Sequence, residues 1–213
     1  MQNTVPAVAD RSESLADRAA SRALTERHRA YAEEVRRLID AAYAVMRRSG
    51  ETDPRVSDIV REAGLSNQAF YRHFRGKDEL LLAVLDDGHR RLVGYLEHRL
   101  SRATPGAEQV REWVEGVLEQ ARNREAAGNT RPFAIDGARL ADRFPAETAR
   151  SRELLLRPLR DALVVAGGDA DRDADAIYHL VMGSMNDALV HRATPSQADV
   201  DHLVDFALTG IGA

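Results

Sequence analysis

The sequence predicts an all-α protein with a small N-terminal head and a larger C-terminal body, and three observations support this. Ala, Leu, Arg and Glu are abundant, whereas aromatic residues make up only 5% of the chain, a composition that favours helices over sheets. Apolar residues recur three and four positions apart along most of the chain, which is the spacing of one helix face. Glycine and proline fall mainly between these stretches, where they separate one helix from the next.

Composition and charge narrow the class of protein. The 213 residues are 44% hydrophobic and 30% charged, as in globular proteins. The absence of cysteine excludes disulfides and thiolate zinc sites. No apolar run approaches the roughly 20 residues that cross a bilayer, and the N-terminus lacks the apolar core of a signal peptide. We therefore expect a cytoplasmic protein that does not associate with membranes.

The net charge of −4 argues against non-specific binding of nucleic acid. Its distribution is uneven, because basic residues outnumber acidic ones in residues 28–78 and the reverse holds afterwards. A mildly basic head on an acidic body fits a protein that presents one end to DNA. Chance unevenness in a charged helical protein is the alternative explanation.

Residues 1–27 form a separate N-terminal segment. They are rich in Ala, Arg, Ser and Asp and contain few large apolar residues, so we expect a flexible extension, disordered or loosely helical. Its arginines would suit an arm in the minor groove of DNA, but the acids between them favour a solvated tail.

The head, residues 28–76, begins with a helix predicted at about 28–49, which Gly50 ends. Residues 56–74 then have the pattern of two short helices joined by a tight turn. Gly64 suits the sharp bend because glycine tolerates positive φ, and Ser66 is a good N-cap for the second helix. Phe70 and Phe74, four residues apart, supply that helix with its inward anchors.

The outward face of the second short helix has the chemistry of a recognition helix. Its short polar, methyl and stacking side chains suit base edges in a major groove: Asn67, Gln68, Ala69, Tyr71 and Arg72. Arg55, inside a helix that we expect Asp53 to cap, and Lys77 stand at flanking helix starts, where a cation opposes the helix dipole. We interpret both as phosphate contacts. His73 either contacts a phosphate or supports Phe74, and periodicity alone also allows an ordinary helical hairpin.

The stretch 56–82 resembles the DNA-binding domain of the TetR (tetracycline-repressor-like) family of transcription regulators. Its apolar, glycine, aromatic and lysine positions match without a gap: Ile59, Ala63-Gly64-Leu65-Ser66, Phe70-Tyr71-Arg72-His73-Phe74 and Lys77-Asp78-Glu79-Leu80-Leu81. Arg55 departs from the family pattern, which usually starts this helix with Thr or Ser, so Arg55 or Ser57 is expected to replace the usual phosphate contact. Pattern and resemblance together give a set of DNA-binding residues: Arg55, Ser57, Ser66, Asn67, Gln68, Ala69, Tyr71, Arg72, His73 and Lys77.

The body, residues 77–213, is predicted to contain further helices at about 77–103, 107–128, 146–167, 171–193 and 196–210. A short helix between loops is expected in the proline- and glycine-containing stretch 128–145, and a kink near Pro158. In the helix at 171–193 more than one side is apolar or small, which suggests a partner helix from a second subunit. The resemblance likewise implies a homodimer whose last two long helices pair in a four-helix bundle. Packing within one chain is the alternative.

The resemblance also implies a small-molecule pocket among the body helices. Aromatic, Met and amide residues of the body suit such a pocket: Trp113, Phe133, Phe144, Tyr178, Met182, Met185 and Asn186. For each of them, simple core packing is the competing interpretation. No cofactor motif is present.

An enzyme is the remote alternative. The pairs Asp175/His179 and Asp187/His191 have a spacing that can hold a metal, but the two histidines lie about 120° apart around the helix. Surface ion pairing explains these pairs better, and no catalytic motif occurs elsewhere.

The function predicted from the sequence is that of a homodimeric transcription regulator. We expect it to bind a palindromic operator in double-stranded DNA and to be released, as a repressor, by a small-molecule effector. An activator, or a regulator switched by a partner protein and therefore with a fully packed body, is the alternative.

Overall fold

The computed structural model describes residues 14–50 and 52–212, and in these two ranges the chain forms nine α-helices and no strand. This confirms the predicted all-α fold class. None of the helices in these ranges is both long enough and apolar enough to cross a bilayer.

The head consists of α1 (Leu15–Ser49), α2 (Val56–Ala63), α3 (Asn67–His73) and the first turns of α4 (Lys77–Leu100). Helix α1 begins well before the predicted start at about residue 28. Ser14 and Asp17 form a capping box there, which satisfies otherwise unpaired backbone N–H groups, and the following Ala- and Arg-rich turns favour a helix. The side chains of residues 14–33 remain exposed. The rest of the proposed extension lies outside the described residues.

Local sequence signals set the turns of the head. Gly50 and Gly64 follow α1 and α2 with φ of 70° and 62°, and the Ser66 Oγ accepts a hydrogen bond from the Ala69 N–H at 3.1 Å. These features confirm the predicted helix ends and the predicted cap. The predicted cap of α2 was wrong, because Arg55 is its N-cap residue and no side chain caps the helix. Asp53 instead pairs with Lys77, at 2.5 Å between Oδ1 and Nζ.

Helix α3 is held against α1 by one carboxylate. The Glu34 Oε2 lies 2.5 Å from Arg72 Nη2 and 2.6 Å from His73 Nε2, and the Tyr31 ring meets the edge of the His73 ring at 5.5 Å. The hydrogen bonds from His73 and then Arg72 lower the pKa of Glu34 below its usual value. Helix α3 is therefore fixed to α1 by polar contacts as well as by the burial of Phe70 in the head core.

The body contains the remainder of α4 together with α5 (Ala107–Arg122), α6 (Arg124–Arg143), α7 (Pro145–Ala166), α8 (Ala170–His191) and α9 (Gln197–Gly210). Helix α5 packs against each of the others and buries Trp113 and Val117 completely. Helix α4 contributes Leu80, Leu81 and Val84 to the head core. Its second half contributes Leu92, Leu96 and Leu100 to the body core.

The prediction for residues 107–145 was wrong in one respect. Helix α5 ends at Arg122, and the stretch expected to hold only a short helix belongs to the 20-residue α6. The Asn123 Oδ1 starts α6 by accepting hydrogen bonds from the N–H groups of Glu125 and Ala126, both at 3.0 Å. Ala127, Pro132 and Leu140 are buried, so tertiary packing outweighs the low helix propensity of glycine and proline. Helix α7 runs through Pro158, and the kink there stays a prediction.

Gly116 marks the closest approach of α5 to α4. A Cβ atom at this position would lie 2.6 Å from Leu96 Cδ2, and Leu96 is fully buried. We expect Gly116→Ala to destabilise the protein by about 1–3 kcal/mol, because overpacking outweighs the gain in helix propensity. Gly94→Ala on α4 is the control: nothing lies within 4 Å of its Cβ position, so it should stabilise by about 0.5–1 kcal/mol. Urea unfolding measures both, and equal effects would contradict the tight packing at Gly116.

The Glu34 contacts predict a pH-dependent contribution to stability. A carboxylate whose pKa is lowered by folding stabilises the fold above its usual pKa, here 4.5, and loses this contribution as the pH falls. Glu34→Gln should therefore lower the thermal unfolding midpoint at pH 7, and the difference from the wild type should shrink progressively as the pH falls below 4.5 and through the lowered pKa of Glu34. Glu33→Gln is the control, since Glu33 pairs only with the exposed Arg29 on the same helix. A deficit of Glu34→Gln that is independent of pH would contradict this role of the carboxylate.

Candidate functional site

The recognition helix α3 presents a polar face to solvent at the tip of the head. Asn67, Gln68 and Tyr71 are exposed, and the Tyr71 ring retains 62% of its accessible surface. Ala69 is 6% exposed and lies on the inner face of the helix beside Phe70, so the prediction that Ala69 faces outward was wrong. Its place in the N-terminal turn suggested contact with DNA, but the periodicity that buries Phe70 also turns Ala69 inward.

The turn before α3 is fixed by a side chain of α1. The Arg37 Nη2 donates hydrogen bonds to the carbonyl oxygens of Ala63 at 2.5 Å and Gly64 at 3.1 Å. Carbonyl groups at the end of a helix lack a partner within the helix, and Arg37 supplies one here. The Phe70 and Phe74 rings pack at 5.8 Å between centroids. The hydrogen bonds from Arg37 and the packing of Phe70 on Phe74 therefore hold α3 in place, with its polar face exposed.

Three of the DNA-contacting residues predicted between 66 and 73 already have partners in the head. Arg72 is half-exposed but bound to Glu34, and the His73 side chain is only 7% exposed. Of the two roles considered for His73, its burial against Glu34 and Tyr31 fits support of the head better than contact with a phosphate. Ser66 uses its hydroxyl oxygen to cap α3.

The remaining predicted residues lie at helix starts. Arg55 and Ser57 are exposed at the beginning of α2, and Lys77 is the first residue of α4. Together with the first turn of α3, these positions offer backbone N–H groups and cations of the kind that bind phosphates. The ion pair with Asp53 holds the Lys77 ammonium at the start of α4.

Asp78, next to Lys77, joins the head to α6. Arg139 Nη1 lies 2.7 Å from Asp78 Oδ1, and Arg143 pairs with the other oxygen. The hydrogen bond from Arg139 is the main cause that lowers the pKa of Asp78. Arg139 and Arg143, both on α6, thus bind the start of α4.

A cavity of about 880 Å³ lies in the body among α1, α4, α5, α6, α7 and α8. Five of the residues predicted to bind a ligand line it: Phe133, Tyr178, Met182, Met185 and Asn186. Trp113 and Phe144 do not, so these two predictions were wrong. Trp113 is fully buried in the body core, where its Nε1 donates to the Leu155 carbonyl at 3.1 Å. Phe144 packs against the head core.

The cavity lies between the two hydrophobic cores. Tyr43, Val84, Leu85 and Phe133 in its lining belong to the head core or pack against it. Leu92, Tyr178, Met182 and Met185 belong to the body core or pack against it. A molecule in this cavity therefore contacts side chains that stabilise the head and side chains that stabilise the body.

The sequence analysis missed several polar residues of the lining, among them His89, Asn129 and Arg152. Each has a buried polar atom without a hydrogen-bond partner among the described residues, namely His89 Nδ1, Asn129 Oδ1 and Arg152 Nε. His89 follows Leu85 by four residues and precedes Leu92 by three, so a polar residue on that apolar stripe was a usable signal. No such signal identified Asn129, because the sequence around it has the composition of a loop.

The two Asp/His pairs of α8 do not assemble a metal site. The His179 Nδ1 bonds the backbone carbonyl of Asp175 at 2.7 Å, and the Asp175 side chain pairs with Arg152. His191 and Asp187 are an exposed pair at 3.3 Å. In the described part of the chain, no group of three or more His, Asp or Glu residues could hold a metal ion.

Comparisons with known proteins agree with the geometry of the head. Residues 38–84 match the family model described as "Bacterial regulatory proteins, tetR family". This match covers α2, α3 and parts of α1 and α4.

Solved structures of similar fold extend the comparison to the body. The TetR-family transcriptional regulator SCO4454 from Streptomyces coelicolor superposes with a TM-score of 0.64 at 21% identity, covering 85% of this chain and 97% of its own. FadR from Bacillus subtilis, solved with stearoyl-CoA, gives 0.62 at 16% identity, with 82% and 96% covered. RolR, solved with resorcinol, gives 0.60 at 17% identity, with 87% and 91% covered.

The family model accounts for the head, and the solved regulators share the fold of most of the chain. The head is therefore similar to the N-terminal region of tetR-family regulatory proteins, and most of the chain shares the fold of solved structures from that family.

Proposed function

We propose that the protein is a homodimeric repressor that binds a palindromic operator and leaves it when a small molecule occupies the cavity. The observation that carries the proposal is the exposed face of α3, with Asn67, Gln68 and Tyr71 between the cations Arg55 and Lys77. In a dimer the two copies of α3 would enter successive major grooves about 34–36 Å apart.

The proposed contacts divide into two groups by their chemistry. Asn67 and Gln68 have amides that can form paired hydrogen bonds with adenine, and Tyr71 offers an aromatic face and a hydroxyl. Arg55, Ser57 and Lys77 would contact phosphates, and such contacts set register without reading sequence. On binding DNA, Lys77 would exchange its ion pair with the exposed Asp53 carboxylate for a contact with a phosphate. The loss of the ion pair would cost little, because an exposed pair of this kind contributes at most about 1 kcal/mol.

The direct test is binding of the purified protein to the DNA upstream of its own gene, at several salt concentrations, with light scattering for stoichiometry. The proposal expects tight, sequence-selective binding by a dimer that weakens steeply with salt. If no binding is found, selection from random DNA sequences distinguishes a distant operator from a protein without sequence preference. The latter result would contradict the proposal.

Substitutions at the helix starts should separate phosphate contacts from base contacts. Arg55→Ala and Lys77→Ala should weaken binding to all sequences and reduce the salt slope by about one per lost contact. Asp53→Ala should strengthen binding, because it frees the Lys77 ammonium. Asn67→Ala and Gln68→Ala should alter sequence preference at single positions.

Arg150→Ala is the matched control for these variants, since Arg150 is an exposed arginine of α7 in the body. Titrations of labelled operator and mutated operators measure every variant. Unchanged binding by the Arg55, Lys77, Asn67 and Gln68 variants would contradict this assignment of the interface.

Two features of the last helices support the homodimer. Phe206 on α9 is 64% exposed and Val190 on α8 is 44% exposed. Gly183 on α8 is also exposed, and a small residue allows a second helix to approach closely. Helices α8 and α9 of two chains would bury these side chains in a four-helix bundle.

Phe206→Glu should therefore shift the protein from dimer to monomer, because it places a charge inside the proposed bundle. Leu24→Glu is the control: Leu24 is a similarly exposed apolar residue, 66% accessible, but lies on α1. Sedimentation velocity at several concentrations distinguishes the two species. A Phe206→Glu variant that remains as dimeric as the wild type would contradict the proposed interface.

Ligand release is supported by the cavity and by two solved structures of this fold that contain a small molecule, FadR with stearoyl-CoA and RolR with resorcinol. The cavity favours this mechanism over switching by a protein partner, for which a fully packed body was expected. Coupling of about 1–3 kcal/mol between the cavity and the head would weaken operator binding some 5–150-fold.

A further inference from the structure

The polar groups that line the cavity restrict the chemistry of its ligand. Three different helices each contribute one buried polar atom without a partner among the described residues: His89 Nδ1 from α4, Asn129 Oδ1 from α6 and Arg152 Nε from α7. Buried polar groups in proteins are almost always hydrogen-bonded. All three residues line the cavity, so a ligand for which these buried side chains adjust would supply the missing hydrogen-bond partners.

Asn129 and His89 define which partners are suitable. The amide oxygen of Asn129 only accepts hydrogen bonds, so a ligand must present a donor to it. Burial lowers the pKa of His89, and the nearby Asp86 opposes this only in part. A neutral imidazole offers one N–H donor and one bare acceptor nitrogen. Together the two side chains suit a group that both donates and accepts.

The positive charges of the lining are already balanced. Arg152 Nη2 lies 3.0 Å from Asp175 Oδ1, and its guanidinium stacks 5.0 Å from the centre of the Tyr178 ring. Arg91 Nε lies 2.7 Å from Asp87 Oδ2. Glu119 adds a negative charge to the lining. An anionic ligand would have to compete with these carboxylates for charges that are already balanced and would gain little from it. The unpartnered Arg152 Nε can still donate to an uncharged acceptor such as a hydroxyl oxygen.

The rest of the lining is largely apolar and adaptable. Phe133, Met182, Met185 and Leu92 surround the polar groups, and methionine side chains adjust to irregular ligands. The volume of about 880 Å³ lies in the range of pockets that enclose drug-sized molecules, about 300–1,000 Å³. The cavity thus suits a ligand that is mainly apolar and carries a small polar group.

We propose that the ligand is an uncharged, mainly apolar molecule with a hydroxyl group that donates to Asn129 Oδ1 and pairs with His89. This inference rests on the proposed function, because it names the effector class of the same cavity. A hydroxyl group supplies both a donor and acceptor lone pairs. A carboxylate supplies only acceptors, and a hydrocarbon supplies neither.

Three probes of nearly equal shape test the proposal on the full-length protein at pH 7.5: 4-butylphenol, 4-butylbenzoate and butylbenzene. Isothermal titration calorimetry should give 4-butylphenol an affinity about tenfold or more above that of the other two. Asn129→Leu should remove most of this preference and leave butylbenzene binding nearly unchanged, as should His89→Phe. Met182→Leu is the control, since it alters the apolar wall and should affect phenol and hydrocarbon alike.

Each contrary result overturns the proposal. Tighter binding of 4-butylbenzoate would assign the cavity to anions, and equal binding of phenol and hydrocarbon would leave the polar groups without a role. Binding of none of the three probes would also reject it. The comparison of probes on the wild type does not depend on the folding of any variant, and operator binding, measured separately, decides the proposed function.

Discussion

The organisation of the molecule depends on the burial of one continuous helix in two hydrophobic cores. The first half of α4 contributes Leu80, Leu81 and Val84 to the head core, and the second half contributes Leu92 and Leu96 to the body core. Neither core is complete without its half of this helix. Helix α4 is continuous from Lys77 to Leu100, although it contains Gly88 and Gly94. In the proposed mechanism, a displacement of α4 in the body would therefore be transmitted to the base of α3.

Local chemistry made the head predictable and left part of the body unpredictable. The ends of α1 and α2 follow from glycine at positive φ, and the start of α3 follows from the Ser66 cap; each signal lies within a few residues of its effect. Helix α6 shows the opposite case. Its prolines and glycines have low helix propensity, and only the burial of Ala127 and Leu140 against other helices decides the outcome. Such burial is not visible in the local sequence.

In the candidate sites, too, the local sequence predicted some features and could not predict contacts between distant residues. Periodicity placed Tyr71 outside and Phe70 inside, but the interaction of Asp53 with Lys77 joins residues 24 positions apart and could not be predicted from helix caps. In the body, residue chemistry identified Met182 as lining the cavity. Residue chemistry could not distinguish Met182 from Trp113, because Trp113 is apolar enough for the cavity wall or for the core. Trp113 lies in the core, where its N–H donates to a backbone carbonyl.

The position of the cavity gives a physical route from ligand to DNA. A ligand shifts an equilibrium only if it contacts two arrangements of the protein differently. Here the lining includes Tyr43, whose hydroxyl donates to the Val84 carbonyl at 2.8 Å, and Phe133, which packs on the head core. Helix α6 also holds the start of α4 through Asp78. In the proposed mechanism, a ligand that separates α6 from α4 would act on the segment that carries Lys77. In the proposed dimer, that displacement would change the spacing between the two copies of α3.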